Sequence, residues 1–208
     1  MLHNQIMEPI FNQSRQVLEL ARQKGFLRAS DLDQLHISRV VLARLSADGL
    51  LEKVSRGIYR LPGSADSSPE SLLTVATRAP QAVFCLLTAL QFHELTTQLP
   101  RQVWIAMPQG SHVPKLDYPP LKLIQYTGAA YSEGITEVKF GRVSIRVYDV
   151  TKTIADCFKH RNKIGIDVAV EALKEARRKK MIDMNALWHY AKICRVANLM
   201  RPYLEATE

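Results

Sequence analysis

The segment Lys24–Gly63 constrains the fold more than the rest of the chain, because it places helix-capping and tight-turn residues at short intervals. A first helix is predicted over residues 13–24 and ends at Gly25, since glycine readily adopts the left-handed conformation that closes a helix. Ser30 and Ser38 are predicted N-caps of two further short helices, because a serine side chain accepts a hydrogen bond from the first turn. The sequence therefore predicts three short helices in succession.

A small β-hairpin is predicted directly after the third helix. Residues 50–54 and 58–61 are strand-like runs on either side of Gly57, which supplies the positive φ angle that a tight turn demands. Three long cationic side chains are expected to project from this hairpin: Lys53, Arg56 and Arg60. Three helices and a basic hairpin in this order are typical of a winged helix-turn-helix, in which one helix enters the major groove and the wing contacts phosphates.

The third predicted helix has two different faces. Val41, Leu42 and Leu45 follow helical spacing and are expected to pack on the first two helices. The opposite face is small and basic, so it is slim enough to enter a groove and can donate to base edges or phosphates. An ordinary solvated helix face is the alternative, but the neighbouring hairpin favours DNA binding. The candidate DNA-binding residues are Ser38, Arg39, Val40, Ala43, Arg44, Lys53, Arg56 and Arg60.

Composition and charge fit a globular protein with a polyanionic partner. The chain is 47% hydrophobic and carries a formal charge of +8. Residues 1–63 hold nine lysines and arginines against six carboxylates, and residues 64–208 hold 19 against 14. Both segments could therefore face a polyanion such as nucleic acid, or the second segment could face an acidic protein. The three cysteines are far apart and set among apolar residues, which favours reduced thiols and a cytoplasmic protein. Neither a signal peptide nor a membrane association is expected.

The remainder of the chain is predicted to be a separate α+β domain. We expect a DNA-binding domain over residues 1–63, a polar, proline-flanked linker over 64–69, and a C-terminal domain over 70–208. Strands are predicted at 103–107, 121–126, 135–140 and 143–148. Helices are predicted at 69–78, 82–94, 150–161, 166–180, 184–194 and 196–205.

The residues that most resemble a reactive site lie in the C-terminal domain. Asp149 and Asp156 are seven residues apart, and Lys152 and Lys159 repeat that spacing. Paired carboxylates on one helix face could hold Mg²⁺ for phosphoryl or nucleotidyl transfer. We favour the alternative, in which Asp149 caps the helix and Asp156 pairs with Lys152 at i,i+4.

Other signatures of catalysis are missing from the sequence. The nine glycines form no phosphate-binding loop, and the six histidines form no H-E-x-x-H motif. Cys157 and His160 have no second ligand pair at metal-binding spacing. We therefore expect neither an enzyme nor a cofactor or metal. The basic cluster Arg177–Lys180 is expected at the C-terminal end of a helix, where positive charge complements the helix dipole. Alternatively, this cluster could contact the DNA backbone or an acidic partner protein.

Several segments resemble the AbiEi-type antitoxins of bacterial type IV toxin–antitoxin systems. In the N-terminal half these segments are Gly25-Phe26-Leu27, Ser30-Asp31-Leu32, residues 44–50 and residues 56–62. In the C-terminal half they are residues 87–90, 103–106 and 148–156. The resemblance covers nearly the whole chain beyond residue 13.

The resemblance implies a transcriptional repressor of its own operon. Its winged helix would bind inverted repeats in double-stranded DNA, as a monomer or with weak self-association on the DNA. The C-terminal domain would support cooperative binding and neutralise a nucleotidyltransferase-like toxin without forming a stable complex with it. Such families also contain lone regulators. A third possibility is a protein-interaction module whose C-terminal surface binds a toxin or a kinase-like partner, with DNA binding only vestigial.

Overall fold

The structure is a computed structural model that describes residues 7–55, 57–63, 69–112, 115–140 and 143–205, without the side chains of residues 7–11 and Ser55. The chain divides into two units, Met1–Ser71 and Leu72–Glu208. Both helices and β-sheets occur, which confirms the predicted mixed α+β class. Arg56 and most of the predicted linker, residues 64–68, lie outside the described residues.

The N-terminal unit combines three helices with a small antiparallel sheet. Its strands lie in the order β1-β3-β2, and Tyr59 of β3 is opposite Leu27 of β1 on one side and Lys53 of β2 on the other. The elements are α1 (Met7–Lys24), β1 (Leu27–Arg28), α2 (Asp31–Gln34), α3 (Val40–Ala47), β2 (Glu52–Ser55) and β3 (Ile58–Arg60).

One hydrophobic core joins the elements of this unit. Val17 and Ala21 of α1 and Val41, Leu42 and Leu45 of α3 are each at most 6% exposed. Their spacing of three and four residues places them on one face of each helix, and that face is buried. The prediction that α3 packs through these three side chains is confirmed.

Three glycines set the connections between these elements, and two of them, Gly25 and Gly57, do so as the sequence predicts. Gly25 has a φ angle of 72° directly after α1, and Gly49 has a φ angle of 70° after α3. Gly57 has a φ angle of 74° between β2 and β3, and its carbonyl accepts a hydrogen bond from the Ala29 amide at 2.7 Å. Glycine suits these positions because it has no Cβ to clash in the left-handed conformation.

The helix caps in this unit differ from the prediction. The Ser30 side chain makes no capping hydrogen bond to α2. Instead, the Asp31 carboxylate accepts a hydrogen bond from the Arg28 amide at 2.7 Å, which fixes the preceding strand. Ser38 Oγ accepts only a long bond, 3.4 Å, from the Val40 amide. Which of these side chains bonds to a backbone amide depends on the local path of the backbone, and the spacing of residues in the sequence does not specify that path.

The C-terminal unit contains a mixed five-stranded sheet in the order β6-β5-β4-β8-β7. The β4–β8 and β5–β6 pairs are parallel, whereas β4–β5 and β7–β8 are antiparallel. The strands are β4 (Val83–Phe84), β5 (Val103–Pro108), β6 (Leu121–Tyr126), β7 (Ile135–Phe140) and β8 (Val143–Tyr148). The helices from the unit boundary onward are α4 (Pro69–Arg78), α5 (Leu86–Phe92), α6 (Ala129–Ser132), α7 (Val150–Lys159), α8 (Arg161–Ile164), α9 (Ile166–Arg178), α10 (Met184–Ile193) and α11 (Ala197–Glu205).

The predicted helix at 82–94 was wrong at its start. Residues Val83 and Phe84 form the short central strand β4, and helix α5 begins only at Leu86. Both strand residues are at most 1% exposed, because neighbouring strands and both faces of the sheet cover them. A buried strand is a continuous apolar run, which sequence periodicity does not distinguish from a buried helix.

The sheet separates two hydrophobic layers. Along β5, Trp104 and Ala106 belong to one cluster, and Val103, Ile105 and Met107 belong to the other. This alternation places the clusters on opposite faces of the sheet. Side chains from α7, α9, α10 and α11 fill the first cluster, and side chains from α4 contribute to the second.

A buried ion pair lies within the first layer. Lys152 Nζ is 2.7 Å from Oδ1 and 2.6 Å from Oδ2 of Asp156, and both side chains are fully buried. The ammonium group also lies 4.3 Å from the centre of the Tyr148 ring and 4.9 Å from that of Tyr126. Cys194 Sγ donates to Asp156 Oδ1 at 3.2 Å. The pair is thus enclosed by groups that stabilise both of its charges.

Burial and the pairing with Lys152 shift the pKa of Asp156 in opposite directions. Removal from water raises the pKa of Asp156, whereas the charge and hydrogen bonds of Lys152 oppose that rise. Burial and the nearby carboxylate also raise the pKa of Cys194 to about 12, which keeps its thiol protonated and able to donate. The carboxylate therefore depends on Lys152 for its stability inside the core.

The neighbouring residues fix the position of α7. Asp149 is its N-cap, with Oδ1 accepting a hydrogen bond from the Lys152 amide at 2.7 Å. The Tyr190 hydroxyl donates to Asp149 Oδ2 at 3.2 Å. Gly134 has a φ angle of 73°, and a Cβ there would lie 2.6 Å from Lys152 Cβ. The predicted capping role of Asp149 and the predicted Lys152–Asp156 pair are both confirmed.

We expect Lys152→Met to destabilise the protein by about 3–5 kcal/mol, because it leaves the Asp156 carboxylate buried without its cation. The free energy of unfolding, measured in urea by circular dichroism, tests this prediction. The double variant Lys152→Met, Asp156→Leu is expected to recover much of the loss, since it removes both charges together. A double variant no more stable than Lys152→Met would contradict the proposed cause.

Arg178→Met provides the matched control for this prediction. Arg178 also pairs with a carboxylate, Glu175, at 2.6 Å, but its side chain is 72% exposed. Solvent-exposed ion pairs contribute about 0–1 kcal/mol. We therefore expect this variant to unfold near the wild-type urea midpoint.

Candidate nucleic-acid interface

Helix α3 presents the exposed face that its sequence predicts. Six side chains on the helix or just before it are exposed: Ser38, Arg39, Val40, Ala43, Arg44 and Ala47. Apart from the two arginines these side chains are short, so the helix backbone can approach a flat or concave surface closely. Val40 is 74% exposed, which makes it the most exposed large hydrophobic side chain among the described residues.

Arg39 is held by a carboxylate on the preceding helix. Its Nη2 donates to Asp33 Oδ2 at 2.6 Å, and its Nε donates to Asp33 Oδ1 at 3.3 Å. These two bonds raise the pKa of Arg39. Both side chains are more than half exposed, so the pair is weak enough for another anion to compete with Asp33.

Arg44 has a different environment. Its Nη2 donates to the Ser14 hydroxyl of α1 at 2.6 Å. A hydroxyl group orients the guanidinium group without neutralising its charge. Arg44 is exposed, so it presents a positioned positive charge on the outer face of α3.

The hairpin contributes fewer cations than the sequence predicts. Lys53 is exposed on β2, and Arg56 lies outside the described residues. Arg60 does not project from the hairpin, which corrects that expectation: it is only 8% exposed, and its Nε donates to Glu52 Oε2 at 2.9 Å. Side chains alternate along a strand, so Arg60 shares the buried face of β3 with Ile58, which is 6% exposed. That alternation was readable from the sequence.

The acidic and basic candidates of the C-terminal unit lie on or next to α7, but the pair at their centre faces the core. Asp156 and Lys152 are fully buried against each other, and Asp149 is occupied by the helix N-terminus and Tyr190. Lys159 Nζ lies 5.0 Å from the centre of the Tyr126 ring. Both Asp156 oxygens are bonded to Lys152, so this carboxylate is not presented to a solvent-borne metal or substrate. The geometry therefore does not support the phosphoryl-transfer alternative.

A contact between His160 and Tyr126, next to this pair, was not predicted from the sequence. His160 Nε2 is 2.9 Å from the Tyr126 hydroxyl. Partial burial and the neighbouring lysines lower the pKa of His160 to about 4. The imidazole is therefore neutral near pH 7 and packs as part of the wall around Lys152. In the described parts of the chain, no group of three or more His, Cys, Asp or Glu residues is arranged to hold a metal ion.

The basic cluster at the end of α9 contacts its own unit. Arg177 donates to the Leu204 carbonyl at 2.9 Å, and Lys179 donates to the Glu94 carbonyl at 2.8 Å. Arg178 is bonded to Glu175. These contacts give three members of the cluster a structural role at a helix C-terminus, where positive charge complements the helix dipole.

One comparison relates the N-terminal part of the chain to known proteins. Within the described residues, no helix is both long enough and apolar enough to cross a bilayer. A search of curated proteins returned no match. Residues 15–62 match the family model described as "Transcriptional regulator, AbiEi antitoxin". This segment runs from α1 to the end of the β2–β3 hairpin, so the match confirms the resemblance to the AbiEi antitoxins over the elements that carry the candidate interface.

Proposed function

We propose that the N-terminal unit is a winged helix-turn-helix that binds double-stranded DNA through α3. The observation that carries the proposal is the outer face of α3, where Val40, Ala43 and Arg44 are all exposed on a helix whose opposite face is buried. A major groove admits an α-helix with such a slim surface, and arginine is the commonest donor to guanine edges. The family match over residues 15–62 supports the same conclusion.

The hairpin would hold the phosphate backbone in this arrangement. Lys53 is the exposed cation on β2. Arg56, which precedes Gly57 in the sequence, completes the proposed contact set. We leave Arg60 out of the set because Glu52 pairs with it on the buried side of β3. In the proposed domain organisation, residues 1–63 bind DNA, residues 64–69 link the domains, and residues 70–208 form the C-terminal domain.

At the level of the cell, we propose a transcriptional repressor that is the antitoxin of a type IV toxin–antitoxin operon. It would bind inverted repeats near its own promoter, as a monomer or with weak self-association on the DNA. Its C-terminal domain would support cooperative binding and counteract a nucleotidyltransferase-like toxin without a stable complex. This part rests on the family resemblance and on the match to a model described as an antitoxin.

We expect Arg44→Ala to weaken binding to the DNA upstream of the protein's own coding region by roughly 5–150-fold, the loss typical of one arginine contact to a guanine. Fluorescence anisotropy with a labelled duplex measures the dissociation constant. Arg178→Ala is the matched control, because it removes one exposed arginine of equal charge from the C-terminal unit. An equal loss in both variants would show a general charge effect and contradict the assignment to α3.

We expect Asp33→Asn to strengthen binding to specific and unrelated duplexes alike. The change removes a negative charge next to the α3 face and releases Arg39 for a phosphate. The logarithm of the binding constant should therefore fall more steeply with the logarithm of salt concentration, by the amount expected for about one more released counterion. Titrations at several salt concentrations measure that slope. Glu175→Gln, which releases Arg178 in the C-terminal unit in the same way, is expected to leave the slope unchanged.

The antitoxin proposal is tested by co-expressing this protein with the product of the adjacent gene, which we expect to be a nucleotidyltransferase-like toxin. We expect the full chain to restore growth of cells that express the toxin, without the toxin co-purifying with it. Persistent growth arrest despite normal expression would favour a lone regulator. Stable co-purification would favour the protein-interaction module instead.

A further inference from the structure

Resting on the proposed DNA-binding function, we propose that Val40 and Arg44 together determine sequence specificity. Val40 contacts the 5-methyl group of a thymine, and Arg44 donates to a guanine within about two base pairs of it. The operator half-site must then contain this thymine and this guanine.

The exposure of Val40 is the first observation. An isolated exposed apolar residue needs no explanation. Val40, however, lies on the same helix face as Ala43 and Arg44, at positions i+3 and i+4, where side chains are neighbours. The face therefore presents methyl groups directly beside a guanidinium group. A purely solvated face gains nothing from a β-branched side chain, which is a weaker helix former than alanine or lysine.

The geometry of valine suits contact with a methyl group. Its χ1 angle has one strongly preferred value in a helix, so little rotamer freedom is lost on contact. Ala43, one turn further along the helix, is too short to keep a base edge away from Val40. In the major groove, thymine is the one base of the four that carries a methyl group, and apolar side chains recognise it there.

The two arginines of this face differ in how freely they can donate hydrogen bonds to a base. Arg39 already has two of its donors engaged by the two oxygens of Asp33. Arg44 donates one hydrogen bond, to the Ser14 hydroxyl at 2.6 Å. This bond orients the side chain but does not neutralise its charge. Arg44 is therefore the better placed of the two to donate to the O6 and N7 atoms of a guanine.

The spacing of the two side chains sets the distance between the bases. Four residues of α-helix advance by about 6 Å, and one DNA base step advances by about 3.4 Å. A helix lying along the groove thus places the two contacts about two base pairs apart. A tilt of the helix across the groove shortens this separation, and a steep tilt brings it close to one base pair.

A methyl-deletion cycle tests the proposal. The probe is a duplex selected from a random pool by the wild-type full-length protein, in which each thymine in turn is replaced by deoxyuridine, which lacks the 5-methyl group. We expect one such replacement per half-site to weaken wild-type binding about fourfold, the effect of losing one buried methyl group. The Val40→Ala variant should bind the thymine duplex about as weakly and show no further loss with deoxyuridine at that position.

Three controls make the cycle decisive. Replacing guanine by 7-deazaguanine, which lacks the N7 acceptor, should weaken the wild type within two base pairs of the sensitive thymine and leave Arg44→Ala unaffected. Leu99→Ala removes another exposed hydrophobic side chain, in the C-terminal unit, and should retain the full deoxyuridine effect. Far-UV circular dichroism establishes that Val40→Ala is folded.

The outcomes separate this proposal from the function on which it rests. Tight, Arg44-dependent binding that is insensitive to deoxyuridine at every position would overturn the role of Val40 and leave DNA binding intact. Sensitivity that persists at the same thymine in Val40→Ala would overturn it as well. If the random pool yields no bound duplex, the proposed DNA-binding function fails and this inference fails with it.

Discussion

The C-terminal unit depends on a charge pair that its core has to enclose completely. Lys152 and Asp156 are one turn apart on α7, and neither side chain reaches water. Taking two ions out of water costs several kcal/mol for each, so the arrangement persists only where the surroundings satisfy both. Tyr148, Tyr126 and Cys194 do so, and Gly134 leaves room for the lysine stem. Because the Lys152–Asp156 pair needs all of these neighbours, it fixes the position of α7 against the sheet.

This pair also explains why the most reactive-looking segment of the sequence has a structural role. Two aspartates and two lysines at regular spacing are compatible with the site of a metal-dependent transferase. The spacing alone does not show whether these side chains face solvent or the core. The structure resolves the question at Asp156, because a carboxylate with both oxygens bonded to Lys152 has no solvent-facing position for a metal or a substrate. Asp149, at the start of the same helix, stabilises the backbone of its first turn.

The sequence predicted the elements whose signals are local and missed those that depend on distant neighbours. The strands 121–126, 135–140 and 143–148 have their predicted bounds, since proline or glycine residues lie beside each of them, and the last strand alternates between apolar and polar side chains. Strand β1 has two residues and exists only because β3 pairs with it, so no periodicity could reveal it. In the candidate interface, the exposed face of α3 was predictable from helical spacing. The pairing of Arg60 with Glu52 and that of Arg39 with Asp33 required the folded chain.

That last pairing changes how the proposed interface would work. A regulator has to distinguish its operator from a large excess of other DNA, so the ratio of specific to non-specific affinity matters more than affinity itself. Non-specific affinity comes from cations that meet phosphates. Asp33 offsets one such cation, Arg39, while Ser14 leaves the charge of Arg44 in place and orients it. A face that restrains one arginine and presents the other beside an exposed valine depends less on total charge and more on the bases it meets.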